Sequence, residues 1–345
     1  MFEGCTTALI APMNADGAID WDGFEKLVEF QLKNGISGLL VSGTTGESPT
    51  LTESEKRRLI ERLIETAGSR CFLIAGTGSN STAKTISETE HARTAGVNGV
   101  LLVDPYYNGP SSIEMMKEYY SPVAAKFPDL DIIPYIIPGR TGTQLHPQEL
   151  ASLHRKHANI KCVKEATGSL ENMRLTRELC GNSFTILSGD DDKTFEMMTD
   201  PRISAAGVIS VASNIVPGPL TCAVELIRGG KSEKAAGIMN ALKPLFSILT
   251  VKTTEETPFG NTQCRARNPL PVKTLMRVMG IPAGPCRAPL GRMTKQGIAL
   301  VLDAARRINE QNPEFFEPVE RHFDVNIEER LSSPKYTEGL FYEQY

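Results

Sequence analysis

The sequence predicts an α/β fold: a closed (β/α)8 barrel followed by a C-terminal helical region. Three observations point there. Eight short apolar runs recur, CTTALIAPM (5–13), SGLLVSG (37–43), CFLIAGTG (71–78), GVLLVDP (99–105), DIIPYIIP (131–138), IKCVKEA (160–166), FTILSGD (184–190) and AAGVISVAS (205–213). Their starts are spaced like one strand-plus-helix unit, and near-continuous apolar strands belong to parallel sheets covered on both faces. No G-x-G-x-x-G follows the first run, which argues against an open dinucleotide-binding sheet, and GTGSNS (76–81) reads as a tight strand-to-helix turn.

The intervening segments carry helix signals. Asp20 precedes a helical pattern that Gly35 closes, Thr52 and Glu55 have the spacing of a capping box, and Ser81 or Thr82 opens a third helix. Beyond about residue 214 the apolar residues keep helical spacing over 217–228, 232–249, 271–279 and 293–308. The polar stretch 250–269 reads as a long loop. The end of the chain is charged but rich in aromatics (Phe315, Phe316, Phe323, Tyr336, Phe341, Tyr342, Tyr345), which argues for an arm docked on the barrel or on a neighbouring subunit. The expected division is a barrel over 1–228, a helical region over 229–308 and a docked extension over 309–345.

The 345 residues are 40% hydrophobic and 23% charged, with a formal net charge of −4. No basic block suggests nucleic acid, and no run is long enough to span a bilayer. The start lacks the pattern of a signal or transit peptide. Seven scattered cysteines without C-x-x-C pairs fit a reducing, cytoplasmic setting better than disulfides or zinc. His154 and His157 have no acidic partner in register and read as solvated helix residues.

In such a barrel, polar residues at the carboxyl ends of strands are the catalytic candidates. Lys164 alternates with Cys162 and Ile160, so it points into the barrel near its top. Loss of hydration there lowers a lysine pKa from about 10.4 toward about 7–8, at a cost to the ammonium of roughly 3–4 kcal/mol. The free amine is then a nucleophile for a carbonyl substrate; the alternative is a lysine that reaches solvent or pairs with a carboxylate. Tyr135 shares a face with Ile133 and Ile137 and reads either as a proton shuttle or as a core tyrosine. Thr44 and Thr45, between glycines, offer donors suited to a carboxylate or simply cap a turn. Arg140 suits a second carboxylate or lies on the surface.

Taken in order, GTTGES, DPYYNGP, YIIPGRTG, VKEATG, LSGDDD and GVISVASN resemble the dihydrodipicolinate synthase family, part of the pyruvate-dependent class I aldolase superfamily, over roughly residues 1–305. The resemblance implies Lys164 as the Schiff-base lysine for pyruvate and Thr45, with Thr44, as holder of its carboxylate. It implies a proton relay of Thr44, Tyr135 and Tyr107, with Tyr107 reaching in from a neighbouring subunit of a dimer or tetramer. Arg140 would bind the carboxylate of aspartate semialdehyde, and Gly189 and Ile209 would line the pocket through their carbonyls. No metal or organic cofactor is implied. Family members commonly have Asn after the relay tyrosine, where this chain has Ile136; another pyruvate aldolase acting on a sugar-acid aldehyde is the alternative function. Lysine-inhibited members bind the amino acid near the positions of Ser48, Pro49, Glu53, Lys56, Asn80, Lys84 and Tyr106. They typically carry His and Glu at the places of Lys56 and Lys84, so two lysines here imply weak inhibition by L-lysine.

Overall fold

A computed structural model describes residues 2–345. Eight parallel strands form the sheet: β1 (Gly4–Ala8), β2 (Gly38–Val41), β3 (Phe72–Gly76), β4 (Gly99–Val103), β5 (Asp131–Ile136), β6 (Cys162–Glu165), β7 (Thr185–Ser188) and β8 (Gly207–Ser210). Each pairs with the next, and β8 pairs with β1 to close the barrel. Alternation sorts the side chains into two cores. Ala8, Leu40, Ile74, Leu101, Ile133, Tyr135, Cys162, Leu187 and Ile209 fill the interior. Val41, Leu102, Ile136, Val163 and Ile186 face the helices.

The helix starts follow their caps. Asp20 accepts from Gly23 N at the start of Trp21–Lys33, and Ser81 caps Thr82–Ala95. Thr52 and Glu55 form the capping box of Glu53–Ala67. A wide π turn, Met115–Tyr120, aims two consecutive tyrosines back at the end of β4. Tyr119 donates to the carbonyl of Val103, and Tyr120 to Asp104 at 2.5 Å. His154 and His157 are half-buried ties rather than solvated residues. The former donates through Nδ1 to the Ile160 carbonyl at 2.7 Å, and the latter lies 2.7 Å from the Ser121 hydroxyl. Their sequence spacing faces the gap between neighbouring units, which one helix's pattern does not reveal.

The stretch expected as a long loop is a hairpin, β9 (Thr250–Thr257) with β10 (Gly260–Arg267), in antiparallel register. Val251, Thr253 and Glu255 are buried while their neighbours are exposed, a period of two in a Thr-rich strand. Polar content hid that alternation. The helical pattern over 232–249 divides into Ser232–Ala241 and Lys243–Ser247, where Pro244 cannot continue the first helix. In the final segment Phe315, Phe316, Val319, Ile327 and Leu331 are buried, and Phe323 stacks on Phe30 of the first barrel helix with ring centroids 5.1 Å apart.

A buried ion pair joins the C-terminal region to the barrel. Lys273, on helix Leu270–Met279, donates to Glu47 Oε1 at 2.6 Å, and the two side chains are 1% and 0% exposed. Its other protons go to the carbonyls of Ala11 and Pro285, and Glu47 also accepts from Arg287 N at 2.8 Å. Every strong group of the pair is therefore satisfied, which such a pair requires. Lys273→Ala leaves Glu47 buried without its partner and is expected to destabilise the fold by about 3–5 kcal/mol. Glu47→Gln with Lys273→Met is expected to recover most of that loss in urea unfolding; a double variant as unstable as the single one contradicts this account.

Candidate active site

The carboxyl ends of β2, β5, β6 and β7 surround a cavity of about 260 Å³. Lys164, Tyr135, Thr44, Thr45, Arg140, Gly189, Asp190 and Asp191 line it. β5 and β6 pair Tyr135 with Lys164 directly. The Lys164 ammonium lies over the Tyr135 ring, 4.2 Å from its centroid, and the residue is 4% exposed. Burial pulls this amine from the usual 10.5 down to about 8, and Arg140 adds to the effect, while Asp190 and Asp191 oppose it. An aromatic face and two carboxylates favour the charged form, yet desolvation outweighs them. At neutral pH about a tenth of the lysine is then free amine.

Tyr135 is buried, and burial pushes its phenol up, against the pull of the Arg140 guanidinium and the Thr44 hydroxyl. It is therefore a proton donor at neutral pH. Gly189 is forced by proximity: a Cβ there would lie 2.7 Å from Ala166 Cβ and 3.2 Å from Lys164 Cε. Ile209 is fully buried in the barrel interior, while Val211 takes part in the cavity lining. Tyr107 stands apart. It is 89% exposed, with a left-handed φ of 83°, and is not among the residues that line this chain's own cavity.

The loop after β2 is bent by two left-handed residues, Ser42 (φ 55°) and Glu47 (φ 57°), which present Thr44 and Thr45 to the cavity. Thr45 is held by a side chain the sequence reading did not single out. Asn268 donates to its hydroxyl at 2.9 Å, from the end of the hairpin. Also unforeseen are three carboxylates. Asp191 accepts from Ser210 and from the amides of Val211 and Ala212. Asp190, raised to about 6 by burial and by neighbouring Asp192, faces Lys164. Glu165, on the outer face of β6, is raised to about 7 by burial and accepts from Thr167 N and Asn172. The run GDDD (189–192), just past a predicted strand, was the available signal for the aspartates.

A second cavity, about 340 Å³, shares Thr44, Tyr135, Ile137 and Arg140 with the first. Ser48, Pro49, Lys56, Asn80, Lys84 and Tyr106 line it, and Glu53 pairs with Lys84 at 3.4 Å. Burial and the Lys84 charge lower the Lys56 pKa.

Known proteins share this fold. The model of the dihydrodipicolinate synthetase family matches residues 1–306. The chain belongs to the dihydrodipicolinate synthetase family. The 4-hydroxy-tetrahydrodipicolinate synthase of Syntrophus aciditrophicus (strain SB) is 40% identical over 295 residues, which cover 86% of this chain and 94% of that protein. The solved 4-hydroxy-tetrahydrodipicolinate synthase of Methylacidiphilum fumariolicum SolV superposes with a TM-score of 0.83 at 36% identity, covering 94% of this chain and all of that one. A dihydrodipicolinate synthase of Cyanidioschyzon merolae, solved with lysine bound, gives a TM-score of 0.81 at 32% identity, covering 89% of this chain and 98% of that one. As a dihydrodipicolinate synthetase family member, the chain is a lyase. No helix among the described residues is long and apolar enough to cross a membrane.

Holding Lys164 charged in this site costs about 3 kcal/mol relative to water. Its folded value is lowered, so the cost is present in full below about pH 8 and fades as the unfolded lysine also loses its proton. Lys164→Met is therefore expected to raise the melting temperature at pH 7 while abolishing activity. A lower melting temperature than wild type would contradict the burial argument.

Proposed function

We propose that the chain condenses pyruvate with L-aspartate 4-semialdehyde through a Schiff base on Lys164 to give 4-hydroxy-tetrahydrodipicolinate. The observation that carries this reading is a buried, low-pKa amine beside a phenol and two threonine hydroxyls in one small cavity. Family membership supports the same reading.

The neutral Lys164 amine attacks C2 of pyruvate while Thr44 and Thr45 hold the carboxylate. Tyr135 donates the proton with which water departs, leaving a protonated imine. That imine draws electrons from the methyl group, which loses a proton and becomes an enamine. The enamine carbon attacks the aldehyde of the second substrate, whose carboxylate lies on Arg140. The substrate amine then attacks the imine carbon, closes the ring and displaces Lys164. Water and the cyclic product account for all atoms of the two substrates. Gly189 lines the pocket in this reading, and Ile209, buried in the barrel interior, would reach it only through its carbonyl. The exposed, left-handed Tyr107 completes the relay of a neighbouring copy in a homo-oligomer, a dimer or a tetramer.

Pyruvate followed by borohydride is expected to leave one permanent adduct, on Lys164, by intact mass and peptide mapping. A protein without that adduct is not this enzyme. Below about pH 8, kcat/KM for pyruvate is expected to rise about tenfold per pH unit, then level off, as the free-amine fraction does. Lys56 and Lys84 place two cations in the second cavity, which opposes a cationic effector. L-Lysine is accordingly expected to inhibit weakly; activity halved at submillimolar lysine refutes that part of the proposal.

A further inference from the structure

The mouth of the active-site cavity holds two arginines from distant parts of the chain. Arg140 follows β5, and Arg267 ends β10 of the hairpin; both line the cavity that contains Lys164. They are cross-tied. Arg267 Nη1 donates to the carbonyl of Gly139 at 3.1 Å, next to Arg140. Arg140 Nη2 donates to the carbonyl of Asn268 at 3.0 Å, next to Arg267. A guanidinium has five N–H donors, so each keeps most of its fork free.

Among the described residues, neither arginine forms an ion pair with a carboxylate, whereas Arg57, Arg174 and Arg287 do. Arg265, on the same face of β10, adds a third cation; burial and the charges of Arg267 and Arg265 lower the Arg140 pKa, and burial and Arg265 lower that of Arg267. The Tyr135 phenol feels both Arg140 and Arg267. Of the acidic groups of the cavity, Asp191 acts on Lys164, and Asp190 acts on Lys164 and, without pairing to it, on Arg140. Like charges held together without a directly paired carboxylate repel, and a bound carboxylate relieves that repulsion while satisfying the free forks. Pyruvate's own carboxylate, one bond from the carbon that Lys164 attacks, is met at the buried Thr44–Thr45 turn. The arginine pair is left for the second substrate.

We propose that Arg267 is a second carboxylate-binding residue of the site, which together with Arg140 selects a carboxylated aldehyde. This rests on the function proposed above. The hairpin is therefore a specificity element placed over the barrel mouth. Its anchored end carries the arginine, fixed by Asn268 N to the carbonyl of Leu249 at 2.8 Å.

The test compares wild type, Arg267→Ala, Arg140→Ala and the double variant. Substrates are aspartate semialdehyde and 3-aminopropanal, the same aldehyde without its carboxylate. Arg267→Ala is expected to raise KM for aspartate semialdehyde about tenfold or more. It should leave KM for pyruvate and the borohydride adduct unchanged, hardly alter turnover of 3-aminopropanal, and cause a further loss in the Arg140→Ala background. A change below about twofold, or equal losses with both aldehydes, overturns the proposal. So does no further loss in the Arg140→Ala background, which would make Arg267 a strut for Arg140. If wild type traps pyruvate but uses both aldehydes equally, the reading of the second substrate itself fails. If wild type discriminates and Arg267→Ala discriminates as strongly as wild type, only the role of Arg267 fails.

Discussion

The site depends on a carboxylate and an ammonium that never meet water. Glu47 closes the loop bearing Thr44 and Thr45, and it does so in a left-handed conformation that a glutamate adopts only under constraint. Lys273 supplies the constraint from the C-terminal region, at 2.6 Å. Asn268 adds a second hold on the same loop through Thr45, 223 residues away in sequence. A buried pair contributes little net stability compared with an apolar pair of equal volume. What it contributes here is position: the geometry fails if either partner is misplaced, because an unpaired charge in this core is costly. The C-terminal helices thus form one wall of the site rather than an appendage to it.

Within that frame the chemistry is set by competition for one proton. Desolvation works against the Lys164 ammonium, whereas Asp190, Asp191 and the Tyr135 ring work for it. Desolvation prevails, but only to about 8, which leaves the amine reversibly protonated near neutrality. A deeper apolar site would free the amine fully and remove a proton that the later steps need. The aspartates are themselves raised by burial, Asp190 to about 6. Their hydrogen bonds differ: Asp191 is pinned by backbone amides, while Asp190 has no such anchor and is set mainly by burial and its neighbour Asp192.

What could be read from sequence was whatever depends on local periodicity. The eight apolar runs became eight strands in order, and the Thr52–Glu55 capping box formed. The alternation in IKCVKEA was enough to point Lys164 inward and Glu165 outward, and that in DIIPYII put Tyr135 inside and Ile136 against the helices. What escaped was long-range. Nothing near Asn268, Arg267 or Lys273 announces a partner in the β2 loop or after β5, because the pairing exists only once the chain has closed on itself. The hairpin escaped for a second reason. Its buried face is Val251, Thr253 and Glu255, two of them polar, so a search for apolar alternation passes over it.

The position of Ile136 bears on where specificity is set. At that place the family commonly has a polar residue, and an isoleucine in a pocket wall would alter what the pocket accepts. Here the side chain is fully buried in the layer between strands and helices, on the opposite face of β5 from Tyr135. It cannot touch a substrate. A polar group in that layer would act on substrate only by shifting β5, and β5 is already fixed on both edges by β4 and β6. In the proposed reaction, discrimination between aldehydes would come from groups that line the cavity, among them those of the turn after β5, of the end of β7 and of the hairpin. A barrel interior filled to close packing has little freedom to change shape. A hairpin laid across its mouth has that freedom, since it alters the charge over the opening without disturbing a single strand.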